Sequence, residues 1–272
     1  MDKIIGISEL AQYRSQNKKF AAVACYDYTT ARLLSQTDIE IALVGDSAAE
    51  FVLGFKNTLG ATMDFMVAIT AAVRRGAPNV FVVADMPFLS YHVSIADAVK
   101  NAGRFIVEAG ADIVKFEASD KDLHIIESVA NANIPVMAHI GIRPQTAAMG
   151  KLKAAGTDEA NAKRLEETAK RMVEAGAKML LLEGVAGQTA AHITQNSPVP
   201  VIGCGSGPDC DGQVLVAPDI LGLLPGSAMP KFSMSFGQAG QVMLDALDAY
   251  SREVHAGTFP DDAHTYHFKG QH

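Results

Sequence analysis

The chain has 272 residues, 49% of them hydrophobic and 19% charged, with a formal net charge of −7. That composition leaves room for one large core, and the acidic balance excludes the basic footprint that a nucleic-acid partner requires. No apolar run approaches the roughly 20 residues of a membrane span. Met1-Asp2-Lys3 opens no signal-peptide pattern. Three cysteines, Cys25, Cys204 and Cys210, cannot all pair and lack zinc-like spacing, so a reducing, cytoplasmic compartment is the simple expectation.

In chain order, residues 4–16 read as a short amphipathic lead-in whose helix begins near Ile7. Phe20-Ala21-Ala22-Val23-Ala24 is a first strand, and Asp27 is placed to cap the helix after it. Ile41-Ala42-Leu43-Val44 is a second, running through Gly45 into Asp46 and Ser47. A long connection, 48–61, follows; such loops usually carry function. Thr62 then caps a helix with Met63, Met66, Val67, Thr70 and Val73 on one face. The next strand ends in Asp85. Ser94 and Asp97 resemble a capping box for a helix that turns Ile95, Val99, Ala102 and Ile106 inward.

The pattern repeats. Ile113-Val114-Lys115-Phe116 ends in Glu117, Pro135-Val136-Met137-Ala138 in His139, and Met179-Leu180-Leu181-Leu182 in Glu183. Helices are expected over 122–131, from Thr157 or Asp158 to Ala175, and over 189–195, with a polar loop carrying three basic residues at 143–156. The last strands are 199–203 and the short Val214-Leu215-Val216. Short apolar runs alternating with helical segments read as strands buried on both faces of a parallel sheet. A polar residue at each C-terminal end is how a (β/α)8 TIM barrel builds an active site on one rim. The expected architecture is one barrel domain over 1–272. A C-terminal helix near 235–254 and a His-rich tail, with His264, His267 and His272 solvated, complete it.

A lone aspartate after a strand is more often a turn or cap residue. Three carboxylates in register, Asp46, Asp85 and Glu117, with Glu183 on a later strand, favour a site for a hard divalent cation such as Mg²⁺. Lys115 shares a face with Glu117 and is the local cation for a substrate carboxylate. Glu183, ending an apolar run, suits a general acid/base. His139 reads equally as a hydrogen-bonded wall residue or a participant. Gly203-Cys204-Gly205-Ser206-Gly207 lacks the context of a phosphate-binding loop and reads as a tight turn at the barrel mouth.

Tyr26-Asp27-Tyr28, Val44-Gly45-Asp46-Ser47, Val83-Ala84-Asp85-Met86-Pro87-Phe88, Lys115-Phe116-Glu117 and His139-Ile140-Gly141 resemble the ketopantoate hydroxymethyltransferase family. So do Glu183, Pro230-Lys231-Phe232 and, most specifically, Gly207-Pro208-Asp209-Cys210-Asp211-Gly212-Gln213-Val214-Leu215. That family belongs to the phosphoenolpyruvate mutase/isocitrate lyase superfamily. The resemblance implies a TIM barrel, commonly assembled as a homo-oligomeric decamer, with Mg²⁺ held by Asp46 and Asp85 and Glu117 near it through water. Tyr26, Ser47, Lys115 and His139 join the two aspartates around a 2-oxoacid, with Ser47 and Lys115 on its carboxylate and Glu183 as base. A metal-stabilised enolate of 3-methyl-2-oxobutanoate then takes a hydroxymethyl group from 5,10-methylenetetrahydrofolate, giving 2-dehydropantoate for pantothenate biosynthesis. The segments after Ser47, Glu117, Thr146 and Glu183 depart from the family's usual loops. They keep open a Mg²⁺-dependent 2-oxoacid aldolase, lyase or mutase, or a non-catalytic barrel that binds metal and 2-oxoacid.

Overall fold

A computed structural model describes residues 5–150, 153–226 and 228–268, with Ala147 and Met149 by backbone alone. Met1, Asp2, Lys3 and His272, named above, lie outside these residues, as do position 4 of the lead-in and positions 151 and 152 of the basic loop. The described residues hold eight strands: β1 (Phe20–Ala24), β2 (Ile41–Val44), β3 (Phe81–Asp85), β4 (Ile113–Glu117), β5 (Val136–Gly141), β6 (Met179–Glu183), β7 (Val201–Cys204) and β8 (Gly212–Val216). All pair in parallel with their sequence neighbours, and β1 pairs with β8 to close the ring. This is the expected (β/α)8 barrel. β2, β3 and β4 are buried at every position, because each lies between the packed interior and an outer helix.

The eighth strand opens on Gly212 and Gln213, and its pairing rests on that glycine. Phe20 pairs with Gly212, and a Cβ on Gly212 would lie 2.2 Å from the Phe20 ring. The missing side chain lets the first and last strands meet over a buried aromatic. Below them, Arg14 on helix α1 (Ile7–Ser15) grips Asp211 through both carboxylate oxygens at 2.9 and 2.7 Å and donates to the Thr194 carbonyl at 2.8 Å. Asp211 also accepts the Val201 amide. One ion pair, with Arg14 Nη1 shared between both carboxylate oxygens, thus ties the lead-in helix to the strands that close the barrel.

The expected caps are present. Asp27 caps α2 (Tyr28–Leu34), Thr62 caps α4 (Met63–Gly76), Ser94 caps α5 (Ile95–Val107) and Asp158 caps α7 (Glu159–Glu174). Each side chain accepts an otherwise orphaned amide of the first turn. The buried face of α4 carries Met66, Val67, Thr70 and Val73, with Met63 at its edge. On α5 the expected face is displaced: Ala98, Ala102 and Phe105 are buried, whereas Ile95 is exposed. Phe105 is the bulkiest apolar side chain there and takes the core. The 48–61 connection is not a plain loop, since it winds into α3 (Ala48–Phe51) and a 3-10 turn at Thr58–Gly60. Helices α6 (Leu123–Asn131) and α8 (Gly187–Asn196) complete the ring, and a 3-10 turn at Pro144–Met149 opens the loop after β5.

Contacts group the chain into two compact units, the first ending at Ala217 and the second covering Pro218–His272. All eight strands fall in the first. A short helix, α9 (Ala217–Leu221), leads into the second unit, whose main element is α10 (Ala239–Ala256). Val242, Met243, Leu244, Leu247 and Tyr250 of α10 are exposed, and Tyr250 packs edge-on against Phe259. His264 and His267 are largely exposed, as expected, each paired with a neighbouring aspartate. No helix among the described residues is long and apolar enough to cross a membrane.

Gly141 closes β5 with a φ of +103°, and a Cβ there would lie 2.3 Å from the Glu183 carbonyl oxygen. Gly141→Ala combines a left-handed strain of about 1–3 kcal/mol with a backbone collision. A melting curve should show Tm lowered by several degrees; an unchanged Tm would mean the strand-end geometry is not held this tightly.

Candidate active site

The strand registers assemble the site. β3 against β4 sets Asp85 beside Lys115, β4 against β5 sets Glu117 beside His139, and β5 against β6 sets Gly141 beside Glu183. Parallel strands ending at one rim therefore deliver five chemically active side chains without help from a loop. Asp46 lies two residues beyond β2, and its amide donates to Asp85 Oδ2 at 3.1 Å. Lys115 Nζ lies 3.0 Å from Asp85 Oδ1 and 3.1 Å from His139 Nδ1. His139 Nε2 in turn faces Glu183 Oε2 at 3.4 Å. An ammonium has no lone pair to offer, so His139 Nδ1 accepts. Nε2 then carries the imidazole proton and, like Asp85 Oδ1, makes no well-directed hydrogen bond despite its burial.

Asp46, Asp85, Glu117, Lys115 and His139 are all buried, while the Glu183 side chain keeps 20% exposure. Desolvation dominates their titration. Burial, aided by the Asp85 charge, pushes Asp46 up to about 7. Burial lifts Glu117 to about 9 against the pull of Lys115, and Glu183 to about 7. Burial raises Asp85 too, opposed by Lys115 and the Asp46 amide. For Lys115 burial works downward, but the fields of Asp85, Asp46 and Glu117 outweigh it and hold the ammonium above its ordinary value. Burial and the Lys115 charge drive His139 well below the usual histidine range, which keeps it neutral.

Tyr26 and Ser47 sit at the same rim, their hydroxyls 2.8 Å apart, with the Tyr26 ring stacked on Phe51. All the side chains expected from the sequence to form the site are therefore at the C-terminal ends of the strands. Sequence reasoning missed Gln145 and Tyr91. Gln145 is buried in the turn after β5, where its Nε2 donates to Asp46 Oδ2 at 2.8 Å and its amide donates to Glu117 Oε2 at 3.0 Å. The Tyr91 hydroxyl donates to Gln145 Oε1 at 2.7 Å. The one signal for Gln145 was its place just past a barrel strand's C-terminal end. Of the Gly203–Gly207 stretch, expected as a tight turn, Gly203 and Cys204 instead end β7 and only the last three residues turn, with Gly205 and Gly207 at positive φ; Ser206 Oγ accepts the Val185 amide beside Glu183.

The carboxylates fit a hard cation. Their donors are all oxygen, and Asp85 Oδ1 receives no well-directed hydrogen bond despite full burial. Among the described residues no group of three or more His, Cys, Asp or Glu side chains is gathered to hold a metal alone. An ion here would take Asp46 and Asp85 and complete its shell from other oxygens, as Mg²⁺ habitually does.

The family model for ketopantoate hydroxymethyltransferase matches residues 5–262. The chain belongs to the ketopantoate hydroxymethyltransferase family. It is 43% identical over 252 residues to the 3-methyl-2-oxobutanoate hydroxymethyltransferase of Clostridioides difficile (strain 630), covering 92% of this chain and 91% of that one. The enzyme of the same name from Moorella thermoacetica is 41% identical over 263 residues, covering 96% of this chain and 97% of the other. Among solved structures, 2,3-dimethylmalate lyase, a phosphoenolpyruvate mutase/isocitrate lyase superfamily member, superposes with a TM-score of 0.60 at 15% identity, over 96% of this chain and 92% of that one. Phosphonopyruvate hydrolase, solved in complex with oxalate and Mg²⁺, gives a TM-score of 0.60 at 12% identity, over 97% and 93%. These distant likenesses share the fold. The family makes this chain an enzyme of the transferase class that moves a hydroxymethyl group.

Raised carboxylate pKa values have a definite sign in stability. Below about pH 4 both folded and unfolded carboxyls are protonated and nothing is lost. Between that value and about 7, the folded protein keeps on Asp46 and Glu183 protons that the unfolded chain gives up, so stability falls as pH rises. The metal-free protein should melt lower at about pH 8 than at about pH 5, and Asp46→Asn should flatten that slope. Equal slopes in the two proteins would overturn this account of the cluster.

Proposed function

We propose that this enzyme transfers a hydroxymethyl group from 5,10-methylenetetrahydrofolate to 3-methyl-2-oxobutanoate, giving 2-dehydropantoate for pantothenate biosynthesis. The observation that carries the reading is the placing of a proton-hungry Glu183 across the rim from two cation-ready carboxylates, with Lys115 between them. Asp46 and Asp85 would hold Mg²⁺, with Glu117 beside them. The ion, when bound, supplies Lewis-acid polarisation of the 2-oxoacid's keto and carboxylate oxygens. Its likeness in fold to a hydrolase solved with oxalate and Mg²⁺ supports that choice.

The chain's own groups do the rest. Lys115 and Ser47 hold the substrate carboxylate, and Tyr26 positions Ser47 through their shared hydrogen bond. Glu183 removes the proton from C3 of the 2-oxoacid, and the electron pair left on C3 forms the new bond to the one-carbon unit. The folate methylene carries no oxygen, so one water is consumed: both C–N bonds of the methylene break, the water's oxygen and one hydrogen become the product hydroxyl, and its other proton and the C3 proton leave on the two nitrogens of tetrahydrofolate. His139, held neutral, lies 3.4 Å from Glu183 through Nε2 and leaves the carboxylate's proton uptake unopposed by a second positive charge. Lys115, buried and firmly charged, opposes the negative charge that develops on the substrate oxygens. A homo-oligomer, decameric as in the family, is supported by the exposed apolar side chains of α10. Three free cysteines suit a cytoplasmic setting.

Proton NMR of 3-methyl-2-oxobutanoate in D₂O with enzyme and Mg²⁺ tests the chemistry. Loss of the C3 proton should be metal-dependent and should turn into product once methylenetetrahydrofolate is added. Glu183→Gln should slow exchange by roughly 10²–10⁴-fold, and the wild-type rate should fall as pH drops below about 7, where Glu183 holds its proton. Exchange that never yields product would point to another electrophile, and exchange unaltered in Glu183→Gln would remove Glu183 from the base role.

A further inference from the structure

Gln145 has a bonding pattern that no bystander needs. It is buried, and its side-chain amide and backbone N–H reach groups that follow β2 and β3 or lie on β4. Nε2 donates to Asp46 Oδ2, after β2, at 2.8 Å and to the Met86 carbonyl, after β3, at 2.9 Å. Oε1 accepts from the Tyr91 hydroxyl at 2.7 Å, and the backbone amide donates to Glu117 Oε2, on β4, at 3.0 Å. The amide cannot be reversed. Flipped, its oxygen would face a carboxylate and a carbonyl while its NH₂ displaced the acceptor of Tyr91.

We propose that Gln145 is the positioning residue of the cation site: it pins one oxygen of Asp46 and, through the Tyr91 hydroxyl, is itself held in the single orientation that does so. The inference rests on the Mg²⁺ reading above. With Oδ2 of Asp46 committed to Gln145 and Oδ2 of Asp85 committed to the Asp46 amide, each aspartate has one oxygen left for a cation, and that of Asp85 would be shared with the Lys115 ammonium 3.0 Å away. The same residue's amide draws Glu117 towards the pair. Partners that orient metal-binding carboxylates typically matter 10–100-fold in metal affinity when removed. The turn carrying Gln145 follows β5, so it also joins the loop after that strand to the ends of β2, β3 and β4. Tyr91 is tied to the same point, its hydroxyl 3.1 Å from the Glu117 carbonyl.

The test is calorimetric titration of Mg²⁺ into the wild-type protein, Gln145→Ala, Tyr91→Phe and the double variant, each shown by a melt to be folded. Gln145→Ala should weaken binding by about 10–100-fold and Tyr91→Phe by a smaller factor. The double variant should bind no more weakly than Gln145→Ala, because Tyr91 acts through Gln145. Raised Mg²⁺ should restore much of the Gln145→Ala turnover, which a merely structural defect would not allow. Wild-type Mg²⁺ affinity in both single variants, or fully additive losses, would overturn the proposal. If Gln145→Ala does not fold, Tyr91→Phe decides alone, and an unchanged affinity there overturns it. A wild-type protein that binds no Mg²⁺ would instead overturn the underlying cation reading.

Discussion

The structure depends on a surplus of negative charge that it has chosen to bury. Asp46, Asp85, Glu117 and Glu183 converge on Lys115, the one buried ammonium among the described residues. Taking a carboxylate from water without a partner is costly enough that the group gives up its charge instead. The cluster shows that response in its raised carboxyl titrations and in a histidine kept neutral. Such an arrangement is poor for stability by itself. Added positive charge of the kind proposed above would relieve it.

The barrel makes this possible because its two ends carry different work. At the base, Arg14 and Asp211 lock the lead-in helix to the closing strands. At the rim, strand registers alone set Asp85, Lys115, Glu117, His139 and Glu183 side by side. Side chains on paired strands are fixed by the whole ladder and resist displacement. The loops need add only fine orientation, as Gln145 does for Asp46 and Ser206 does for the chain beyond Glu183. Segments after the strands can therefore vary in length and composition while the chemistry of the strand ends persists.

Much of this was legible in the sequence because the signals were strong and local. A buried parallel strand ending in one polar residue is a pattern that few other structures produce, and repetition turned a weak hint at Asp46 into a persuasive one. Caps such as Thr62 and Ser94 announced themselves by residue type. What escaped was set by contacts distant in sequence. Gln145 meets Asp46 across most of the barrel, and nothing near it in the chain reveals that partner. On α5 the period was visible but its phase was not: Phe105 outweighs Ile95 and Ile106 once a neighbouring surface exists to receive it. The helical turn at Ala48–Phe51 was hidden because a four-residue helix leaves no periodicity to read.

The meeting of Phe20 with Gly212 has a consequence for how the molecule comes into being. During synthesis the first strand emerges early, yet one of its two neighbours is the last strand made. Until then β1 offers an unpaired edge and an aromatic ring with nowhere to lie, the kind of surface that recruits other chains. Seven strands can assemble in order behind it, but the ring shuts only when nearly the entire barrel has left the ribosome. A chain interrupted before residue 212 would keep most of its site-bearing strand ends and still lack a closed wall. The last pairing that closes the wall is made at a residue with no side chain.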